Sequence, residues 1–222
     1  MIKTYKNILI DRQDASERLL ELLPIQKFKD ESWKIVALSK GGLKLASYIN
    51  RRYSNKIDFL LSEPILALNN TECELARVSE TEEIVINEEL MHAFDIKYDY
   101  IYGEAKRKHE EKILSNIYKY RKGRAFFNVK NEVVLLVDDG SETGLKFMTA
   151  LKTILSQKPK AVYIAVPVLP SDVLKLLELF TDDLYYLYNI DDFVNTNLYY
   201  QEFEAIEDSE IERLLKGNNY EL

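Results

Sequence analysis

"VVLLVDDGSETGLK", Val133 to Lys146, runs unbroken from β-branched and leucine side chains into two adjacent acids, then through Gly-Ser-Glu-Thr-Gly into helical spacing. A continuous apolar run bounded by a glycine turn reads as a strand buried on both faces of a parallel sheet. In such sheets ligands bind at the carboxyl ends of the strands, which is where Asp138 and Asp139 fall. A helix beginning at about Thr143 or Gly144 points its unsatisfied N–H groups and the positive end of its dipole into the same crevice, forming a cradle for phosphate. Two carboxylates beside that cradle suit a ligand that offers hydroxyls and phosphate together, a sugar phosphate with Mg²⁺. The turn is not a P-loop, because Lys146 follows Gly144 by two positions with no Ser or Thr after it, and it lacks G-x-G-x-x-G for dinucleotides. The plain alternative is an ordinary strand-to-helix turn with solvated acids. Two acids in a row after a wholly apolar strand, with Thr-Gly opening the helix, make that the poorer reading.

Downstream of this stretch, "LKFMTALKTIL" reads as a helix, "AVYIAVPVL" as a second buried strand, "SDVLKLLELF" as a helix and "DLYYLYN" as a last strand. Upstream, "WKIVALS" (Trp33 to Ser39) ends in "KGG" before apolar groups at helical spacing from Leu43 to Tyr53, which predicts strand, glycine loop and helix. "KIDFLL" (Lys56 to Leu61) is a strand, and "CELARVS" with "EEIVIN" predicts a hairpin around "SETEE". Asn87 suits an N-cap for "EELMHAF", and the charged amphipathic stretch "YIYGEAKRKHEEKILSNIYKYRKGR" predicts a long helix ending near Gly123. In "DSEIERLLKG", Ser209 and Glu212 have the spacing of a capping box. Strict alternation of strand and helix argues for right-handed crossovers, hence an α/β fold with a mostly parallel twisted sheet flanked by helices. No repeat or Pro/Gly linker divides the chain, so one domain over residues 1–222, with a small appendage, is expected.

With 222 residues, a formal net charge of −7 and a pI near 5.1, the chain is a poor candidate for neutralising nucleic-acid phosphates over a broad surface. The single cysteine, Cys73, excludes an internal disulfide. "MIKTYKNILIDRQDASERLL" has no apolar core of the kind a leader needs, and no run approaches a membrane span. A soluble cytoplasmic protein with no membrane or nucleic-acid partner is expected. With only His92 and His109, neither in ligand spacing with Cys73, any metal should be oxygen-ligated.

At "VVLLVDDGSETG" the sequence resembles the type I phosphoribosyltransferases, whose fingerprint is an apolar strand, two acids and, a few residues on, Thr-Gly. "VALSKGGLKLA" is similar to that family's pyrophosphate-binding loop, and "EPILALNNTECELARVSE", "INEEL", "YRKGR" and "LYYQEFEAIEDSEIERLL" are similar to a bacterial subgroup of it, so the likeness spans nearly the whole chain. The resemblance implies the family's fold with a small hood, phosphoribosyl pyrophosphate as ligand, Mg²⁺ as cofactor, and transfer of the phosphoribosyl group to a nitrogenous base, with a homodimer as the expected assembly. It implies that Asp138 and Asp139 hold the ribose hydroxyls and bear on Mg²⁺ directly or through those hydroxyls or water. Gly140, Ser141, Thr143, Gly144 and Lys146 would wrap the 5-phosphate, and Lys40, Gly41 and Gly42 would receive pyrophosphate.

The chain departs from the subgroup at four places. Lys40 replaces an Arg before Gly41-Gly42, giving a point charge in place of a bidentate fork. Ser62 and Glu63 stand where an Arg-Lys pair is usual, and Lys146 replaces a Thr. Glu142 replaces a small residue; the purine-using enzymes carry an acid there that acts as general acid or base, so Glu142 is the candidate catalytic proton carrier for a purine acceptor, although "AVPVLPSD" lacks the Lys those enzymes carry after the following strand. Its other reading is a solvated acid that repels phosphate, offset by Lys146. The missing cations keep a rival open, a non-catalytic protein of this fold that senses phosphoribosyl pyrophosphate or a nucleotide. A sugar-phosphate hydrolase or lyase that reuses the acids for metal is a third. Convergence of Lys40 and a residue of "YRKGR" on the Gly41-Gly42 loop would favour the enzyme; an acidic loop would favour the sensor.

The remaining features have plain readings. Glu104 to Lys112 reads as a solvated helix face, and the cations of "YRKGR" suit a helix C-terminus. Phe193 or Tyr199 is a candidate to stack on a base, with core packing as the commoner fate. His92 and His109 read as surface residues, and Cys73 as a small packed one.

Overall fold

The computed structural model describes residues 8–219, so both ends of the expected 1–222 domain lie outside the described residues. In chain order the elements are α1 (Arg12–Leu22), α2 (Ile25–Asp30), β1 (Lys34–Ala37), α3 (Lys40–Ile49), β2 (Ile57–Phe59), β3 (Ser62–Ala67), β4 (Asn70–Ser79), β5 (Ile84–Ile86) and α4 (Glu88–Ala93). There follow α5 (Tyr98–Lys108), α6 (Leu114–Arg121), β6 (Val133–Val137), α7 (Leu145–Ser156), β7 (Ala161–Pro170), α8 (Ser171–Leu177), β8 (Asp183–Ile190) and α9 (Asp208–Asn219). A π-helical turn, His109–Ile113, joins α5 to α6 into the long helix expected, which ends at Lys122 and Gly123 with φ of 54° and 82°.

Five parallel strands form the central sheet in the order β2-β1-β6-β7-β8, with Ala37, Val137 and Ala165 in register at the carboxyl end. The central strand, β6, is buried on both faces, as its unbroken apolar run requires. Leu135 and Val137 enter a core with α1, α3 and α9, while Val134 and Leu136 enter the core under α7 and α8. Burying each such side chain stabilises the fold by about 1.5–3 kcal/mol. A second, antiparallel sheet, β3-β4-β5, forms the hood. Its β4–β5 hairpin is the one expected from the sequence, with Ala76 paired to Ile86.

Three expectations need correcting. The run "SEPILA" is a strand, β3, absent from the elements expected above; among the described residues β3 pairs only with β4, so Pro64 sits on an edge where its missing N–H is tolerated. The predicted glycine loop after β1 does not exist: Ser39 caps α3 directly, its Oγ accepting from Gly42 N at 2.8 Å, so Gly41 and Gly42 occupy the first helical turn. The capping box at Ser209 does not form either, because α9 already begins at Asp208 and Ile211 N bonds back to Glu207 O. Asn87, by contrast, caps α4 as expected, accepting from Leu90 N.

Candidate functional site

The carboxyl ends of β1 and β6 bring the candidate residues together. Asp138 follows the last residue of β6 and is fully buried; Ser39, the cap of α3, donates to its Oδ1, and Lys146 Nζ lies 2.5 Å from its Oδ2. Asp139 is also buried and accepts from Arg12 Nε at 2.9 Å on Oδ2 and from Ser39 Oγ at 3.2 Å on Oδ1. Its carbonyl accepts from the Tyr200 hydroxyl at 2.7 Å, and burial beside these two acids raises the Tyr200 phenol well above its ordinary range. Each acid thus has a cation of its own, which is what two adjacent carboxylates need inside a protein. Burial pushes the Asp138 carboxyl up to about 6, Lys146 pulling against it and the Asp139 charge adding to it.

Close packing at this corner depends on glycine. A β-carbon on Gly41 would meet Asp139 Oδ2 at 1.8 Å, and one on Gly42 would meet Val137 O at 2.7 Å. The two glycines therefore serve the approach of α3 to the acids rather than loop flexibility. Gly140 is confined in the same way by Thr196, whose side chain a β-carbon would meet at 2.3 Å. Gly144 takes a left-handed φ of 74° and turns the chain into α7, while Thr143 Oγ1 accepts from Leu145 N at 3.3 Å.

The Ser141 to Lys146 loop and Asp139 form one wall of a cleft of about 310 Å³. Across it stand Glu72, Glu74 and Arg77 of the hood, with Thr196 and Phe203 closing the side. Arg77 is held by Glu74 at 2.7 Å and donates to Ser62 Oγ at 3.1 Å. Glu142 is exposed and lines the cleft, with Oε1 accepting from Thr196 N at 3.0 Å. Lys146 does not offset Glu142; its partner is Asp138.

Other candidates fall elsewhere. Lys40 is bonded to Asp208 of α9 at 2.6 Å. The cations of "YRKGR" do not reach the start of α3: Arg121 is buried between Asp58 and Glu80, Arg124 lies 3.6 Å from Asp58, and Lys122 donates to Lys119 O as a helix cap. Burial raises the carboxyls of both Asp58 and Glu80, with Arg121 opposing it. Phe193 and Tyr199 pack on one another with ring centroids 4.8 Å apart, and Tyr199 is buried, so the aromatic at the cleft is Phe203, whose ring lies 4.0 Å from the Arg12 guanidinium. Cys73 packs against the core, Arg107 pairs with Glu104 and Glu111 on a solvated face, and His92 is exposed. His109 is only half-buried, its Nε2 3.2 Å from Glu80 O.

Arg12, Arg77, Thr196 and Phe203 were not found from the sequence. Arg12 reaches Asp139 from 127 residues away, and nothing near it in the chain marks it as a partner. Phe203 carried a faint signal, since it ends the aromatic cluster "NLYYQEF".

A directly ligated metal does not fit the acid pair. Asp138 is fully buried with Lys146 on its Oδ2, Asp139 is paired with Arg12, and among the described residues no group of three His, Cys, Asp or Glu side chains is arranged for a metal. No helix among the described residues is long and apolar enough to cross a membrane.

No family model matches the chain. Two Mycobacterium tuberculosis proteins, each named "Putative phosphoribosyl transferase", are 20% identical over 201 residues, which make up 90% of this chain. The match spans only 45% of those relatives' length. The crystal structure of TT1426 from Thermus thermophilus is similar with a TM-score of 0.75 and 27% identity, over 96% of this chain and 99% of that one. The acid pair with its Thr-Gly turn, the β2-β1-β6-β7-β8 order with an antiparallel hood, and the name of these relatives agree: the chain resembles the type I phosphoribosyltransferases and has their fold.

Proposed function

We propose that residues 1–222 act as one phosphoribosyltransferase domain, cytoplasmic and homodimeric, that binds phosphoribosyl pyrophosphate and transfers its phosphoribosyl group to a nitrogenous acceptor. The observation that supports this reading is the convergence of Asp139 and the Ser141 to Lys146 loop on one cleft at the carboxyl end of the parallel sheet, with Asp138 buried directly behind them. Asp139 lines the cleft, and because a carboxylate oxygen accepts more than one hydrogen bond it can take a ribose hydroxyl without releasing Arg12; the fully buried Asp138 takes one once Lys146 swings off its Oδ2. Thr143, the Gly144 turn and the amino end of α7 suit the 5-phosphate. Mg²⁺ would enter with phosphoribosyl pyrophosphate and neutralise its phosphate charge, Asp138 and Asp139 bearing on it through ribose hydroxyls or water.

In the reaction the acceptor nitrogen bonds to the anomeric carbon as the bond to pyrophosphate breaks, and the acceptor's proton must be removed. Our candidate to take it is Glu142, which lines the cleft, with a purine as the acceptor. Calorimetric titration of phosphoribosyl pyrophosphate with Mg²⁺ is the test. Micromolar binding, about 8 kcal/mol, that is lost in Asp138→Asn/Asp139→Asn supports the reading and justifies screening bases for pyrophosphate release. Absence of heat sinks it.

The sensor reading is favoured by a separate observation: the cations expected around pyrophosphate are committed, Lys40 to Asp208 and Arg121 to Asp58 and Glu80. Binding without pyrophosphate release for any base would select it.

A further inference from the structure

Successive residues of a strand point to opposite faces, so where Arg77 of β4 turns to the cleft, Val78 turns away from it. On that far side of the hood lies another cavity, of about 250 Å³, which shares no lining residue with the cleft. Its floor is apolar, with Val78 and Ala105 buried and Ile84 half-buried. Its walls are the tip of the β4–β5 hairpin and the junction of α5 with the π-helical turn. Both walls depart from regular backbone. Glu82 holds a left-handed φ of 63°, and the π-helical turn, a form that recurs at functional sites, starts at His109. The hairpin tip is pinned to α7, with Thr153 Oγ1 3.0 Å from Ser79 Oγ and 3.2 Å from Thr81 Oγ1, so the cavity is preformed.

His109 gives the cavity its chemistry. Its Nε2 lies 3.2 Å from Glu80 O, and a carbonyl only accepts, so in the neutral ring Nε2 carries the proton and Nδ1 keeps a lone pair. Nδ1 is 4.0 Å from Glu82 Oε1. That gap is too long for a hydrogen bond, yet one nitrogen set between the two acceptors reaches both at about 3 Å. Tyr102, exposed and stacked on Tyr98, offers a ring face at the rim. Glu82 and Glu110 outnumber Lys106 around the opening, which favours a cation.

We propose that this cavity binds a small molecule with a flat apolar body and a cationic amino or amidine group. The nitrogen bridges His109 Nδ1 and Glu82, while the body lies on Val78, Ile84 and Ala105 beside the Tyr102 ring. The volume is room for about eight water-sized groups, which suits one ring and its substituent. The site stands on its own geometry and needs no part of the transferase reading.

The probe is benzamidine, titrated calorimetrically into the full chain at about pH 8, above the ordinary histidine range. Millimolar or tighter binding is expected, weakened at least about fivefold by Glu82→Gln and by His109→Phe. Should His109→Phe fail to fold for want of a donor to Glu80 O, Glu82→Gln still decides, because Glu82 is exposed. Benzoate, of similar shape and opposite charge, should not bind. Nitrogen NMR adds a readout that needs no substitution: benzamidine should move the Nδ1 resonance of His109. Absence of heat up to about 10 mM, heat indifferent to Glu82→Gln, benzoate binding as well as benzamidine, or an unmoved Nδ1 resonance overturns the site. Blocked arginine binding more tightly than benzamidine also overturns it, since the occupant would then be a side chain of a partner protein rather than a small flat molecule.

Discussion

At Gly41 one hydrogen separates α3 from the Asp139 carboxylate and from Arg12 Nε, which a β-carbon would meet at 1.8 and 2.9 Å. Gly41→Ala should therefore destabilise the protein by about 1–3 kcal/mol in urea titration and displace Asp139. Gly42→Ala should be at least as harmful, since its obstacle is the backbone of β6 rather than a side chain. Asp138 makes a prediction of another kind. Its carboxyl is pushed up to about 6 from 3.8, chiefly by burial, so the folded chain holds this proton more tightly than the unfolded one. The resulting stability is complete below about pH 4 and is lost as pH rises through about 6. Urea midpoints measured against pH should show wild type losing ground to Asp138→Asn over that interval, and a flat difference would count against the buried assignment.

Among the helices, α5 carries Gly103 in its interior, where a β-carbon would meet nothing within 4 Å, so Gly103→Ala should stabilise by about 0.5–1 kcal/mol and raise the melting midpoint. Ser39→Ala should do the opposite, by about 1 kcal/mol or more, since Ser39 both caps α3 and donates to the acids. Elements whose pattern is local were legible in the sequence. The apolar run of β6, the Asn87 cap and the β4–β5 hairpin each carry their own signal within a few residues. Where two signals compete, the sequence misleads. Pro64 conceals β3, and Lys-Gly-Gly reads as a loop because a glycine kept for close approach looks the same as one kept for flexibility.

At the scale of the whole molecule, Arg121 ties three regions together. Fully buried at the end of α6, it pairs with Asp58 of β2 and with Glu80 at the tip of the hood hairpin. Arg121→Met should destabilise by about 3–5 kcal/mol, because it strips the buried Glu80 of its cation and leaves the buried Asp58 to Arg124 at 3.6 Å. A loss under about 1 kcal/mol would show that the cluster is wetter than its burial implies. The α/β class, the parallel sheet and the place of Asp138 and Asp139 at its carboxyl edge were determined by the sequence alone, because an apolar run, two acids and a glycine turn are adjacent in the chain. What partners those acids was decided only by the tertiary structure. Arg12 and Lys146 neutralise the pair, Asp208 takes Lys40, and Arg121 turns inward, since a buried charge is satisfied by whatever the fold brings within reach and most of these partners lie far away in the chain.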